Sequence, residues 1–269
     1  MKLAGKYDVV VIPYGGGTNV TKALQVSPDE HRMIVSLDMT RMNKILDIDR
    51  ENMTATVQAG IIGADLEAEL KREGFVCGHE PDSAEFSSLG GWISTNASGM
   101  KKNKYGNIED ILINYTIVTP IGTHKYSESN YQRVSQGPNI KFSIIGHEGN
   151  FGVITEAIIK IKPIPETTHY GSIVFPDMTS GVDFMHSIGK SGIWPASCRL
   201  IDNFQFQFGM ALQTASESKW KAIIDKIKKF YLLNVKGFDP ERLVVCTLLF
   251  EGTASEVAAE EKHTYALAN

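Results

Sequence analysis

Apolar residues fall into short strand-sized runs in the first half of the chain and into alternating strand and helix spacings in the second. Tyr7 to Ile12 is a compact β-branched run and predicts a buried strand, with a second strand at Met33 to Leu37. A third is predicted at Met53 to Gln58, where Met53, Ala55 and Val57 share one face. Ala64 to Glu73 predicts a helix: Leu66 and Leu70 stack at i, i+4, Asp65 suits the N-terminal end, and Gly74 supplies the stop. From His79 to Lys104 the period is weak and small residues dominate, which predicts loops around one short helix. Strand character returns at Ile111 to Thr119 and Phe151 to Lys162, and Pro163 and Pro165 then break the pattern. A domain boundary is expected there, giving regions 1–165 and 166–269.

In the second region Gly171 to Phe175 and Ala196 to Ile201 predict strands, and Thr179 to Ile188 a helix with Val182, Met185 and Ile188 in register. Ser216 to Leu232 carries the broadest apolar stripe, Trp220, Ile223, Ile224, Ile227, Phe230 and Tyr231, and predicts a helix whose flanking lysines form a solvated face, with contact to a membrane surface as the alternative. Leu243 to Phe250 predicts a buried strand with an unpaired edge, followed by a helix over Ala254 to Ala266. The alternation of strands and helices gives an α+β or α/β fold class, of which α+β is the one expected for the chain. Both ends read as cut, so an internal piece of a longer protein is expected.

Composition adds mainly exclusions. With 42% hydrophobic and 22% charged residues the chain reads as globular rather than disordered. A net charge of -4 gives no global attraction to nucleic acid, and no nucleic-acid partner is expected. No apolar run approaches the roughly 20 residues of a membrane helix, and the first six residues lack a signal-peptide core. Cys77, Cys198 and Cys246 lie far apart without a CxxC, so neither a metal site nor a disulfide framework is expected. The N-x-[ST] triplets at Asn19, Asn52, Asn96 and Asn114 are read as chance matches.

The common catalytic motifs fail on specific positions. His79-Glu80 and His147-Glu148 each begin an HExxH pattern, but Ser83 and Phe151 stand where the second His belongs. Gly189-Lys190-Ser191 resembles the end of a phosphate loop, but Phe184 occupies the opening glycine position. Neither GxGxxG after a strand nor GxSxG occurs.

Three segments remain. Pro13, Tyr14, Gly15, Gly16, Gly17, Thr18 and Asn19 follow a predicted strand directly. Successive glycines at positive φ aim backbone N–H groups into one concavity, a nest suited to pyrophosphate, though a tight structural turn reads equally well. Asp82, Ser83, Ala84, Glu85, Phe86, Ser87 and Ser88, with Thr95, Asn96, Ala97 and Ser98 beyond them, belong to a stretch of small residues and hydroxyls in which the apolar Phe86, Leu89, Trp92 and Ile93 are interleaved and expected to be buried. Such a loop should be buried, and a ligand is one way to satisfy its backbone. In the third, glycines run through Glu148, Gly149, Asn150, Phe151, Gly152, Val153 and Ile154 into a strand.

Taken together, in this order and spacing, the segments resemble the flavin-binding domain of the vanillyl-alcohol-oxidase/PCMH superfamily. The wording is nearer still to its alkylglycerone-phosphate synthase family, through Gly78 to Asp110, Ile154 to Glu166, Arg199 to Gly209 and Lys236 to Pro240. The resemblance implies a PCMH-type FAD-binding domain over 1–165, lacking its first strand–helix–strand, followed by the start of an α+β cap domain over 166–269. It implies that the first glycine segment holds the FAD pyrophosphate, that the second borders the ring system and ribityl chain, and that the third reaches the cofactor from the other half of the sheet. No His or Cys stands where some superfamily members attach flavin, so a non-covalent FAD is expected. The reaction implied is exchange of the acyl group of acyl-glycerone phosphate for a long-chain fatty alcohol, without net redox. It implies a homodimer in contact with a membrane, in the peroxisome. The family's catalytic tyrosine and histidines lie beyond residue 269, so no catalytic residue is expected here except a supporting role for Arg199. An FAD-dependent 2-hydroxyacid dehydrogenase and a non-catalytic flavin-binding fragment are the alternatives.

Overall fold

The structure is a computed structural model that describes residues 1–127, 130–212 and 237–268; the helix predicted over 216–232 lies outside them. Its contacts divide the chain into Met1–Ile164 and Pro165–Asn269.

In the first unit a short helix α1 (Lys2–Lys6) precedes β1 (Val10–Tyr14), which pairs in parallel with β2 (Ile34–Asp38). Then come β3 (Ile45–Asp49), β4 (Thr54–Gln58), α2 (Gly63–Arg72) and the short β5 (Phe75–Val76). Three brief helices follow, α3 (Leu89–Thr95), α4 (Lys102–Tyr105) and α5 (Ile108–Ile111). The unit closes with β6 (Leu112–Thr119), β7 (Gly122–Lys125), α6 (Lys141–Ile144), β8 (Val153–Lys160) and β9 (Lys162–Pro163). Five strands form an antiparallel sheet in the order β3-β4-β8-β6-β7, and β5 pairs with β9.

The core follows from the spacing. Leu66 and Leu70 of α2 are fully buried, as are Ala55 and Val57 of β4, and both pairs join one cluster with Leu89, Trp92, Ile93 and Ile159. Met53 packs against that cluster but sits outside β4 at φ 53°. Gly74 takes φ +90° just past α2, the left-handed stop that glycine permits. Among these core side chains each large apolar group contributes about 1.5–3 kcal/mol on burial.

In the second unit β10 (Thr167–Phe175), α7 (Met178–Ser191), β11 (Ser197–Ile201), α8 (Asn203–Leu212), β12 (Val244–Gly252) and α9 (Ala254–Leu267) follow in order. Its sheet runs β10-β12-β11, all antiparallel. The last strand in sequence is therefore the central one, with both edges paired, contrary to the unpaired edge expected for Leu243 to Phe250. Its near-continuous burial follows from that position. The α7 register also differs from expectation: Phe184 and Ile188 face the core with Gly181, while Val182 is half exposed. Asp177 caps α7, its carboxylate accepting from Ser180 N, and Thr253 and Glu256 close a reciprocal capping box on α9.

Candidate flavin site

The site starts at the C-terminal end of β1. Met39 N donates to Tyr14 O at 2.9 Å, which ties the end of β2 to the strand that launches the glycine loop. Residues Gly15 and Gly16 then press onto the 86–88 segment. A β-carbon at Gly15 would overlap the Ser88 hydroxyl, and one at Gly16 would overlap the Phe86 carbonyl oxygen. Only Gly17 takes a positive φ, 68°. The glycines thus serve two purposes, close approach at 15 and 16 and a left-handed turn at 17, rather than the uniform positive-φ nest predicted for all three.

The 83–88 segment is wound tightly, with Phe86 N and Ser87 N both donating to Ser83 O. Its carbonyls serve the start of α2: Gly63 N donates to Ser87 O and Ala64 N to Ala84 O, each at 3.0 Å. Leu89 N and Gly90 N donate back to Ile61 O and Ala59 O. Much of this buried backbone is satisfied by the protein itself, so burial alone does not call for a ligand. Ser88 Oγ caps α3 by accepting from Gly91 N at 3.3 Å, and Ser87 Oγ accepts from Trp92 Nε1 at 2.7 Å. The small helix ends at Asn96, φ 50°, and Ser98 Oγ donates to Asn107 Oδ1.

The third segment lies across the end of α3. Gly146 N donates to Ile93 O and Glu148 N to Ser94 O. Glu148 and Gly149 take φ 49° and 88°, which folds the loop back so that Gly149 sits over Pro13. His147 anchors it from inside: Nδ1 accepts from Gly149 N at 3.1 Å, and Nε2 lies 3.4 Å from Ser94 Oγ. Burial pulls the His147 pKa below the ordinary histidine value, so the ring is neutral near pH 7.

These three segments meet around one cleft of about 390 Å³. Pro13, Gly15, Gly16, Gly17, Thr18 and Asn19 line it from the first segment, and Ser83, Ser87 and Ser88 from the second. Thr95, Asn96, Ala97 and Ser98 follow from the end of α3, and Glu148, Gly149, Gly152, Val153 and Ile154 from the third. Tyr14, Asp82, Ala84, Glu85, Phe86, Asn150 and Phe151 do not line it. Several of them support the wall instead: the Tyr14 ring lies against Gly17, Phe86 presents its carbonyl to Gly16 with its ring exposed, and Asn150 Nδ2 donates to His147 O. Phe151 stacks on the His147 ring, centroids 6.0 Å apart. Arg199 lies on β11 in the second unit, exposed.

Val20, Thr21 and Leu24 also line the cleft and were not singled out by the sequence, whereas Gly90, Gly91 and Ser94 line it from within the small-residue stretch that was. The pairing of Ser94 carried no local signal, because its partner His147 is 53 residues away. Hydroxyls, amides, backbone groups and a single carboxylate, Glu148, make the polar lining; among the described residues no lysine or arginine contributes.

The first unit matches the FAD binding domain family over residues 1–126, and residues 164–269 match the C-terminal domain of FAD linked oxidases. The cleft suits the first match, since Gly15, Gly16 and Gly17 line it beside the hydroxyls of Thr18, Ser83, Ser87 and Ser88. The chain belongs to the FAD-linked flavoproteins that carry this pair of domains, and FAD is its cofactor.

Within that class it is a homologue of alkyldihydroxyacetonephosphate synthase. It is 47% identical to the Caenorhabditis elegans enzyme of that name over 98% of the chain and 44% of the relative. To the Trypanosoma brucei brucei enzyme it is 38% identical, over 95% of the chain and 41% of the relative. A solved alkyldihydroxyacetonephosphate synthase structure superposes with a TM-score of 0.88 at 37% identity, covering 99% of this chain and 47% of that one. The chain therefore spans less than half the length of these relatives.

Proposed function

We propose that this chain provides the FAD-holding part of a transferase of ether-lipid synthesis, which exchanges the acyl group of acyl-glycerone phosphate for a long-chain fatty alcohol. The observation that carries the reading is the convergence of three separate loops on one cleft, in a chain similar to the synthases over 98% of its length. That similarity favours the transfer over the alternative of an FAD-dependent 2-hydroxyacid dehydrogenase.

In this reading the backbone N–H groups and hydroxyls of residues 13–19 hold the pyrophosphate of FAD. Residues 83–88 and 95–98 border its ring system and ribityl chain, and residues 148–154 close the cleft from the other side of α3. FAD is held without a covalent bond and supplies an electron-poor ring system at which the exchange proceeds without net redox change. The chain's contribution is to orient that ring, to hydrogen-bond its polar edge and to exclude water with Met39, Leu24 and Ile154. Arg199 is assigned a supporting role in the second unit. The whole protein is proposed to be a homodimer at a peroxisomal membrane face, where its lipid substrates reside.

The test is to load the full-length protein with FAD, supply palmitoyl-glycerone phosphate and labelled hexadecanol, and measure label in alkyl-glycerone phosphate. Ether product with one fatty acid released per turnover is the expected result. Absence of that product, with dye reduction by D-lactate or another D-2-hydroxyacid instead, would overturn it in favour of the dehydrogenase.

A further inference from the structure

His147 is almost fully buried, and its two ring nitrogens face different partners. Two backbone N–H groups, those of Gly149 and Phe151, point at Nδ1 from 3.1 and 3.5 Å. An N–H can only donate, so Nδ1 must be the acceptor, and the single proton of the neutral imidazole resides on Nε2. That N–H meets Ser94 Oγ at 3.4 Å. Ser94 Oγ is therefore the acceptor of this bond, and its own hydroxyl proton remains to be given. The neighbouring Thr95 spends its hydroxyl on the Gly91 carbonyl at 2.8 Å, whereas Ser94 makes no such bond to its helix and lines the cleft.

We propose that His147 is a positioning residue that fixes Ser94 as a hydrogen-bond donor to an acceptor atom of the bound cofactor. The proposal rests on the reading of the cleft as the FAD site. The geometry couples two segments far apart in sequence: the loop that turns at Glu148 and Gly149 sets the tautomer, the tautomer sets the direction of the Ser94 hydroxyl, and the hydroxyl faces the ligand. A residue that merely braced the loop would need only the Nδ1 bonds. The bond from Nε2 serves Ser94.

The test uses the apoprotein of the full chain titrated with FAD, read by quenching of flavin fluorescence and by the position of the visible flavin bands. Ser94→Ala removes the donor. His147→Asn places an amide oxygen near the Nδ1 position, keeping the acceptor for Gly149 N, and deletes the Nε2 bond together with the ring on which Phe151 stacks. The expected result is about tenfold weaker FAD binding for S94A and several-fold for H147N. The double variant should bind no more weakly than S94A alone, because the two changes break one chain of bonds. S94A should also shift the visible bands, which bracing of the loop alone does not do. Wild-type affinity in S94A or in H147N, or losses that multiply in the double variant, would overturn the proposal. S94A decides the matter by itself if H147N does not fold. Failure of the wild type to bind FAD would instead overturn the reading of the cleft.

Discussion

The α-carbon of Gly16 lies so close to the carbonyl of Phe86 that a β-carbon there would occupy the space of the carbonyl oxygen. The obstacle is backbone, so it cannot rotate away as a side chain would. Gly16→Ala must therefore displace the 86–88 segment, and with it Ser88 at the start of α3. We expect FAD affinity to fall by about a hundredfold and stability by about 1–3 kcal/mol. Gly17→Ala meets the Tyr14 hydroxyl at 2.8 Å and a strained φ of 68°, a milder conflict with a side chain that can move. Isothermal titration of both variants with FAD checks the order. A Gly17 variant weaker than the Gly16 variant would mean that turn geometry, and not close approach, governs the loop.

That distinction was invisible in the sequence. Three consecutive glycines announced a special loop after a strand, but which glycine does what depends on a segment some seventy residues away. The same limit explains other differences. Leu66, Leu70 and Gly74 were legible because a helix face and its stop are local. Strand β3 was missed because it lies at the sheet edge, with Leu46 half exposed and no clean apolar face. The face of α7 fits two registers in the sequence, and only the sheet beneath it selects Phe184 and Ile188 over Val182. The central place of β12 is a matter of strand order, which no local pattern encodes.

The lining of the cleft predicts how binding responds to salt. Its donors are backbone N–H groups, hydroxyls and amides, with no lysine or arginine among the described residues. Screening acts chiefly on exposed charge pairs, so a diphosphate held by neutral donors loses little when salt is raised. FAD affinity is expected to change by less than about threefold between roughly 0.05 and 0.5 M sodium chloride. A steep decline in a fluorescence titration would point to a cationic contact from elsewhere in the protein.

His79 predicts an acid-sensitive fold. Its ring is packed edge-on against Trp92, centroids 4.8 Å apart, and neither ring nitrogen has a hydrogen-bond partner. Burial lowers its pKa from 6.5 to about 4. Between those values the unfolded chain binds the proton and the folded one does not. The stability associated with neutral His79 is therefore fully present above about pH 6.5 and is lost as pH falls toward about 4, by roughly 3 kcal/mol at most. Urea unfolding of the wild type and of His79→Leu at pH 7, 5.5 and 4.5 isolates the effect, since the carboxylates titrate in both. The stability difference between the two proteins should shift steadily in favour of the variant as pH falls. A difference constant with pH would refute it.

The mode of flavin attachment follows from what the cleft places next to its ligand. Covalent attachment needs a nucleophilic side chain, and among the described residues no histidine, cysteine or tyrosine lines the cleft. His79 has unpartnered ring nitrogens but is buried behind Trp92 and does not line the cleft, and the other candidates face elsewhere. His147 turns its nitrogens to Gly149, Phe151 and Ser94, and Tyr14 lies against Gly17. Cys77 is buried in the core of the first unit, where desolvation pushes its thiol up to about 12, so almost none of it is thiolate at neutral pH. Acid precipitation of the full-length holoprotein should therefore release essentially all of the flavin into the supernatant. The pellet, washed and digested, should yield no fluorescent flavopeptide. Flavin retained in the pellet would show that a residue outside this cleft lining makes the bond, and mass spectrometry of the digested pellet would identify it.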